Sequence, residues 1–554
     1  LFAITVLVNL PLLNSTPLAG TEGHRAITAQ QMVREGNWIL PKLFDRYYLA
    51  KPPMQYWLIA LSHGIFGGWN GVVWRMPGIV AAALLNAMLC LFAGRWFGRT
   101  AAWVAGWAGF GLIALWGQVP SADVDSVDTF FSMLAALPML ELLFGQSKRL
   151  VGWVMLGGVG MGAMLLTKGP AGLLPIGGVL AWGGVATARR HTLETLMPAD
   201  RIGRRWGAMV GALLIGAAIF GVYLAIAAWQ MHRSSLPADY EGVHEGLKRI
   251  MPDAQRLLQS LAVPPELFLY TLPVSLSLIL LPVVGAPETV GVGGSDLAAV
   301  DRRRIANALA GATLFSWLLA LVTATENPRW VYTTVPLLCP LAGAVVADGL
   351  RLPAKRRRGV GIFFAASILL YAGAAAVFSL LFHREFAAEH RAAELCWVIT
   401  AVAAISGIGA CIDLSAHRLA RAGMLAALTM VLATMPFTIF NRFDRARRSG
   451  RDDGLELAGI IGPGGVIGSG RMTVSEPEMF YYAGATVRHF ASRRDASGHM
   501  IYGPATSPGF THGWVIAYPD ELKNWRQQGT ITDLHQLKTG KDDTADVGWF
   551  QAKR

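Results

Sequence analysis

The sequence predicts a polytopic α-helical membrane protein with a small C-terminal α/β domain outside the membrane. Three observations carry this. Of the 554 residues, 53% are hydrophobic and only 15% are charged, with a mean hydropathy of +0.42, far more apolar than a soluble chain of this length. The apolar residues gather into runs of about 20, the length a helix needs to cross the hydrocarbon core. After Asn441 the composition turns polar for roughly a hundred residues, enough for a small domain.

Read on that rule, spans fall near 1–13, 72–94, 100–118, 126–145, 150–167, 171–187, 207–231, 266–286, 305–323, 331–350, 359–382, 394–412 and 422–440, about thirteen in all. Residues 1–440 form the transmembrane part, including a polar outer loop at 14–71, and residues 441–554 the C-terminal domain. Within the latter, GGVIGS and GWVIAY read as strands, and EPEMFYYAG and PDELKNWRQQG as helical segments. The chain opens apolar at Leu1 without a methionine, as expected if a cytoplasmic beginning lies upstream. A cleaved signal peptide would need a basic leader and a small-residue cleavage site, which this stretch lacks. Cys90, Cys339, Cys396 and Cys411 all lie in apolar runs, which indicates neither a disulfide framework nor a cysteine metal site.

Charge orients the chain. The net charge of +12 would suggest nucleic acid in a soluble protein; here it reads as basic loops facing an anionic leaflet, and no nucleic-acid partner is expected. If the spans alternate, Arg95, Arg99, Lys148, Arg149, Arg189, Arg190, Arg201, Arg204, Arg205, Arg302 to Arg304, Lys355 to Arg358, Arg418 and Arg421 share one side. Basic residues retain loops in the cytoplasm. The opposite, outer side then carries 14–71, the SADVD turn, Lys168, the 232–265 loop, the TENPRW turn and the C-terminal domain.

The residues with chemical promise collect on that outer side. Thr21 to Trp57 is the long polar passage of the first 145 residues. Ile27, Met32 and Val33 recur near helical spacing and Gly36 supplies a stop, so a helix lying in the membrane interface is expected. Thr21 caps its start, and Glu22 is either a reactive carboxylate or a first-turn acid stabilised by the helix dipole. A second acidic group, Asp123, Asp125 and Asp128, stands at the outer end of the fourth span. Ionisable groups there are costly unless paired, solvated or used. Asp125 and Asp128 share a helical face, one as metal ligand or base and the other as its support, with solvated helix caps as the alternative. Lys51, Arg75, Lys168, Arg249 and Arg329 add cations suited to a lipid phosphate, or else snorkel to the interface.

These stretches carry a resemblance. EGHRA, MVREGNW, YYLAKPPMQYW and VWRMPG, followed by SADVDSVDTFF, MLLTKGP and NPRWVYTTVPLLCPLAG, resemble in order the motifs of the bacterial GT-C membrane glycosyltransferases related to protein O-mannosyltransferases and to the lipid A aminoarabinose transferase. The resemblance implies the GT-C fold, a bacterial inner-membrane location, and an inverting hexosyl- or pentosyltransferase. It would move a sugar from a polyprenyl-phosphate carrier to an extracytoplasmic glycolipid, glycan or protein. By motif position it implies Glu22 and Asp125 as catalytic carboxylates and matches Lys51 and Lys168 to the family's lysines. Apart from the resemblance, the need to stabilise a leaving phosphate adds Arg329 and Arg75 to Lys51 and Lys168 as expected donor-phosphate ligands, with His24, Asp128 and Tyr56 in support. The lipid A enzymes have Asp-Glu where this chain has Thr21-Glu22, and Glu-Lys-Pro where it has Ala50-Lys51-Pro52. No cofactor is indicated with certainty, and a divalent metal is an option that no His-rich ligand set supports. The rival from another class is a transporter of a lipid or small molecule, whose site would be expected near the bilayer midplane within repeated halves.

Overall fold

The computed structural model describes the chain except residues 11–12, 15, 113–118, 120, 146, 148, 190–201, 235–237, 240–253, 273, 285–296, 324–328, 330, 350–353, 388, 416–417, 448, 463, 491, 495–499, 505–509, 539–543 and 553–554. Arg249 therefore lies outside the described residues. The order begins with helix α1 (Phe2–Asn9), α2 (Thr21–Glu35), a hairpin of β1 (Lys42–Leu43) and β2 (Arg46–Tyr48), and α3 (Met54–Phe66). Then come α4 (Gly71–Phe97), α5 (Arg99–Gly111), α6 (Asp125–Phe144), α7 (Leu150–Lys168), α8 (Leu174–Ala188) and α9 (Ile202–His232). A short β3 (Ala238–Asp239) pairs with β2. The helices α10 (Ala254–Ser260), α11 (Val263–Tyr270), α12 (Leu276–Val284), α13 (Leu297–Val322), α14 (Leu338–Gly349), α15 (Ala354–Glu385), α16 (His390–Ser415) and α17 (Leu419–Arg447) complete the helical part.

Nine stretches among the described residues are long and apolar enough to cross a membrane. They cover ten of the thirteen expected spans, because Leu150–Ala188 runs through two of them with a 3-10 turn at Gly169–Leu173 between. The other three expected spans are shorter helices: α1 and α5, each bordering undescribed residues, and the broken pair α11 and α12. Apolar side chains that a soluble fold would bury face outward on α9, among them Leu214, Val222, Leu224 and Trp229, as a lipid-facing surface requires.

The first outer passage differs from expectation. Helix α2 ends where Gly36 takes a left-handed conformation (φ 69°) and returns its N–H to Met32, as the sequence predicts. It does not lie flat in an interface, however. Glu22 through Ala29 and Met32 are all buried, because α2 is packed against α3 on one side and the C-terminal segment on the other. The N-cap is Gly20, not Thr21, and Thr21 turns its hydroxyl elsewhere.

The C-terminal segment forms helix α18 (Arg451–Ile461), β4 (Val466–Ser469), α19 (Met472–Ser475), α20 (Pro477–Ala483), β5 (Thr486–His489), β6 (Ser492–Arg494), β7 (Met500–Tyr502), β8 (His512–Ala517), α21 (Pro519–Gln528), β9 (Gly529–Lys538) and β10 (Thr544–Ala552). Five strands make a mixed sheet in the order β5-β4-β8-β10-β9. The first three strands are parallel, and β10 is antiparallel to both neighbours. Leu457, Ile467, Phe480, Ile516 and Val547 close its core.

Candidate functional site

The acidic turn lies at the start of α6, with Asp125 and Asp128 in its first turn, while Lys168 occupies the last turn of α7. Helix dipoles favour both placements, acids at the N-terminus and a cation at the C-terminus. Gly169 follows Lys168 with φ 72°, a conformation that side chains resist, and it ends the helix there. Lys168 Nζ donates to Asp125 Oδ1 at 2.7 Å. Arg329, from the turn between α13 and α14, donates to both Asp125 and Asp123 and ties them together. Its side chain is 34% exposed, against 6% for either carboxylate.

Asp123 gathers further partners. Thr21 donates to its Oδ2 at 2.6 Å, the backbone N–H of Val124 donates to its Oδ1 at 2.8 Å, and Arg25 Nε stands 3.6 Å away. Burial alone would raise its pKa, but the guanidiniums of Arg329 and Arg25 and the Thr21 hydroxyl hold it well below the usual carboxylate range. Arg25 also donates to Tyr56 Oη at 3.1 Å, so Tyr56 supports the site through Arg25. Gln55, beside it on α3, donates to the carbonyl of Ala122 at 2.9 Å and fixes the backbone of the acidic turn. His24 stacks on Tyr48 at 5.4 Å between ring centroids, beside the cluster and outside its carboxylates.

Lys51 is the contrasting group. It makes no hydrogen bond or ion pair among the described residues. Burial, with the positive charges of Arg25 and Lys168 nearby, pushes it down to about 8. Asp128 is buried with neither carboxylate oxygen hydrogen-bonded among the described residues, and its charged neighbours are Lys168, Asp125 and Lys51. A cation with no hydrogen bond or ion pair among the described residues, beside Asp123 and Asp125 that other cations already hold, is a place for an anion.

Two expected roles are corrected. Arg75 is no phosphate ligand: it is 1% exposed, and its five N–H donors are all taken. Nε and Nη2 grip the two oxygens of Glu22 at 3.0 and 2.9 Å, and the rest reach the carbonyls of Leu13, Thr16 and Pro17. Glu22 is correspondingly no free base. Beyond Arg75 it accepts from the backbone N–H of Ala122 at 2.8 Å and of Ala19 at 3.3 Å. The pair is a buried brace that ties Leu13, Thr16 and Pro17, the starts of α2 and α4, and the acidic turn together. The cluster thus unites Asp123, Asp125, Lys51, Lys168, Arg329 and, through Arg25, Tyr56, and leaves Glu22 and Arg75 behind it as its frame.

Arg25 and Asp123 are the members that sequence reasoning undervalued. Thr21 and Arg25 are four apart on a helix and so share a face; that spacing was the available signal, and both reach Asp123. A divalent metal fits these donors poorly. Asp123 and Asp125 already carry Arg25, Arg329 and Lys168, and no group of three or more His, Cys, Asp or Glu able to hold a metal ion occurs among the described residues.

Carboxylates and cations gather at one end of an apolar helical bundle with an α/β unit beside it, and comparison with known structures shows this to be the GT-C fold. Residues 50–199, which include Lys51, Asp125 and Lys168, match the family described as dolichyl-phosphate-mannose-protein mannosyltransferase. The chain is similar to the undecaprenyl phosphate-alpha-4-amino-4-deoxy-L-arabinose arabinosyl transferase of Pseudomonas aeruginosa (strain LESB58), 32% identical over 267 residues, 46% of this chain and 44% of the relative. The enzyme of the same description from Pseudomonas paraeruginosa is 36% identical over 183 residues, 32% of each chain. The chain spans under half the length of the curated relatives it matches. Its whole fold matches the crystal structure of ArnT from Cupriavidus metallidurans bound to undecaprenyl phosphate, with a TM-score of 0.71 at 17% identity over 98% of this chain and 96% of that one. The apo form of that protein gives 0.69.

Proposed function

We propose that this chain is an inverting glycosyltransferase of the bacterial inner membrane. It takes a sugar from a polyprenyl-phosphate carrier and places it on an acceptor at the outer face. The observation that supports this most is the meeting of Asp123 and Asp125 with Lys168, Arg329 and Lys51, the last with no hydrogen bond or ion pair among the described residues. Arg95 and Glu141 pair near the far end of α4 and α6, about 24 Å along the helix from Asp125. Arg95, one of the basic residues expected in the cytoplasm, thus lies toward the opposite end of the helices from the cluster. The similarity to aminoarabinose transferases favours a pentosyl donor.

The chemistry runs as follows. The acceptor oxygen attacks the anomeric carbon from the side opposite the phosphate, the bond from that carbon to the phosphate oxygen breaks, and the phosphate leaves with the electron pair. Lys51, Arg329 and Lys168 stabilise the charge that develops on it. The acceptor proton passes to a carboxylate, for which Asp125 is placed, with Asp123 beside it. An arriving phosphate competes for Lys168 and Arg329 and so frees the oxygens of Asp125 to accept that proton.

Lys51 supplies the first test. A charge-assisted hydrogen bond is worth about 1.5–3 kcal/mol, so Lys51→Met is expected to weaken binding of undecaprenyl phosphate by about 10-fold or more. Because the ammonium is present below its pKa and lost above it, wild-type binding is expected to hold below pH 8 and weaken as pH rises past it. The Met variant should lack that inflection. Equal affinities in the two proteins across the pH range would remove Lys51 from the phosphate site.

A further inference from the structure

The hairpin of β1 and β2 ends in Phe44, Asp45 and Arg46, with Phe44 at φ 59°, a conformation that costs a bulky residue energy and persists where surroundings enforce it. Those surroundings belong to the C-terminal unit. The ring of Phe44 packs edge-on to Phe480 at 5.8 Å. The carboxylate of Asp45 accepts from the backbone N–H of His489 at 2.9 Å. His489 is the last residue of β5, so the hairpin tip rests against the carboxyl ends of the parallel strands, the edge at which open α/β sheets hold ligands.

The proton arrangement there follows from the donors. Arg46 Nη1 lies 2.6 Å from His489 Nε2, and a guanidinium only donates. His489 therefore accepts at Nε2 and carries its proton on Nδ1, which donates to Thr473 Oγ1 at 2.7 Å. Thr473 in turn donates to the carbonyl of Gly470 at 2.8 Å. Burial, and then Arg46, push His489 down to about 2, so it stays neutral and the relay keeps this sense. A second grip lies on the other side of the cluster. Tyr482 Oη accepts from the N–H of Leu18 at 2.7 Å, and α20 approaches Gly23 so closely that a Cβ there would come within 2.8 Å of the Glu478 carboxylate. Between the two grips stand His24 on Tyr48, Arg25 on Tyr56, and, three residues past β2, Lys51.

We propose that His489 and Thr473 are positioning residues for the site: by holding Asp45 and Arg46 they fix the strand that leads to Tyr48 and Lys51, so the C-terminal unit sets where the Lys51 ammonium stands. The consequence for a lipid phosphate rests on the function proposed above; the placement of Lys51 does not.

The test uses the full chain in detergent micelles, as wild type, His489→Ala, Thr473→Val and His489→Gln, whose side-chain amide can still accept from Arg46 and donate to Thr473. Three quantities are read: hydrogen exchange of the 44–51 amides, the rate of amine labelling at Lys51, and binding of undecaprenyl phosphate. In His489→Ala, exchange and labelling are expected to rise at least tenfold and undecaprenyl phosphate affinity to fall at least tenfold, with thermal unfolding little changed. Thr473→Val should follow in the same direction and His489→Gln should recover most of the effect. Unchanged exchange and labelling in His489→Ala would overturn the proposal; faster labelling with undiminished affinity would support the positioning role and remove Lys51 from the phosphate site. If the wild type fails to bind undecaprenyl phosphate, the donor reading falls, and the exchange and labelling rates alone decide the positioning role. Should His489→Ala fail to fold, Thr473→Val carries the same readings, with His489→Gln as the variant expected to stay near wild type.

Discussion

Asp125→Asn is expected to lower sugar transfer by about 10²- to 10⁴-fold, the range that general-base assistance supplies, while the protein still folds into its membrane. The fold should survive because Lys168, which loses its carboxylate, has Asp128 among its near charges, and that carboxyl has no hydrogen-bond partner among the described residues. Asn keeps the size of the side chain and one acceptor for Arg329 or Lys168, but takes no proton. Transfer is measured with purified variant and a polyprenyl-phosphate sugar, and folding by thermal unfolding in the same detergent. Transfer within a few-fold of wild type would remove Asp125 from the chemistry.

Glu22→Gln should also abolish transfer, but by a different route. Arg75 is buried and takes both oxygens of Glu22, so the substitution leaves an uncompensated guanidinium in the interior. Breaking one partner of such a pair costs about 3–5 kcal/mol. The loss is expected to appear as a lower unfolding temperature and poor yield, and Arg75→Met should show the same. Replacing both residues, Glu22→Gln with Arg75→Met, should be milder than the sum of the two single changes, since no charge is then stranded. A stable, inactive Glu22→Gln protein would return Glu22 to the catalytic set.

The contrast between these two carboxylates shows how far the sequence could be read. The spans were legible because the hydrocarbon core imposes a length on every crossing helix, and the acidic turn stood out because charge at a helix end beside lipid has to be compensated. Gly36 and the strands of GGVIGS and GWVIAY carried local signals, and all three appear in the fold. What failed was whatever depended on distant partners. Glu22 meets Arg75 53 residues away, Thr21 meets Asp123 102 away, and Arg329 meets Asp125 204 away. Polar α2 looked like a surface helix because its burial is created by α3 and α20, which no local pattern in TEGHRAITAQQMVRE announces. The edge strand β9 was missed for a related reason: its side chains are mostly exposed, so it lacks apolar alternation and is held by its ladder to β10.

The loss of the acid at Thr21, where the lipid A enzymes have one, changes weight accordingly. Thr21 does not leave a gap, since its hydroxyl donates to Asp123, and the first passage contributes support to the acidic turn instead of a carboxylate of its own. On the function proposed above, the chemistry then rests on Asp123 and Asp125.

The most direct measurement is mass spectrometry of lipid-linked sugars and envelope glycoconjugates from cells that carry either the wild-type gene or Asp125→Asn at equal protein level. With Asp125→Asn, one polyprenyl-phosphate sugar should accumulate and the same sugar should vanish from one envelope component. Identical profiles in the two strains would contradict the assignment of this site to sugar transfer.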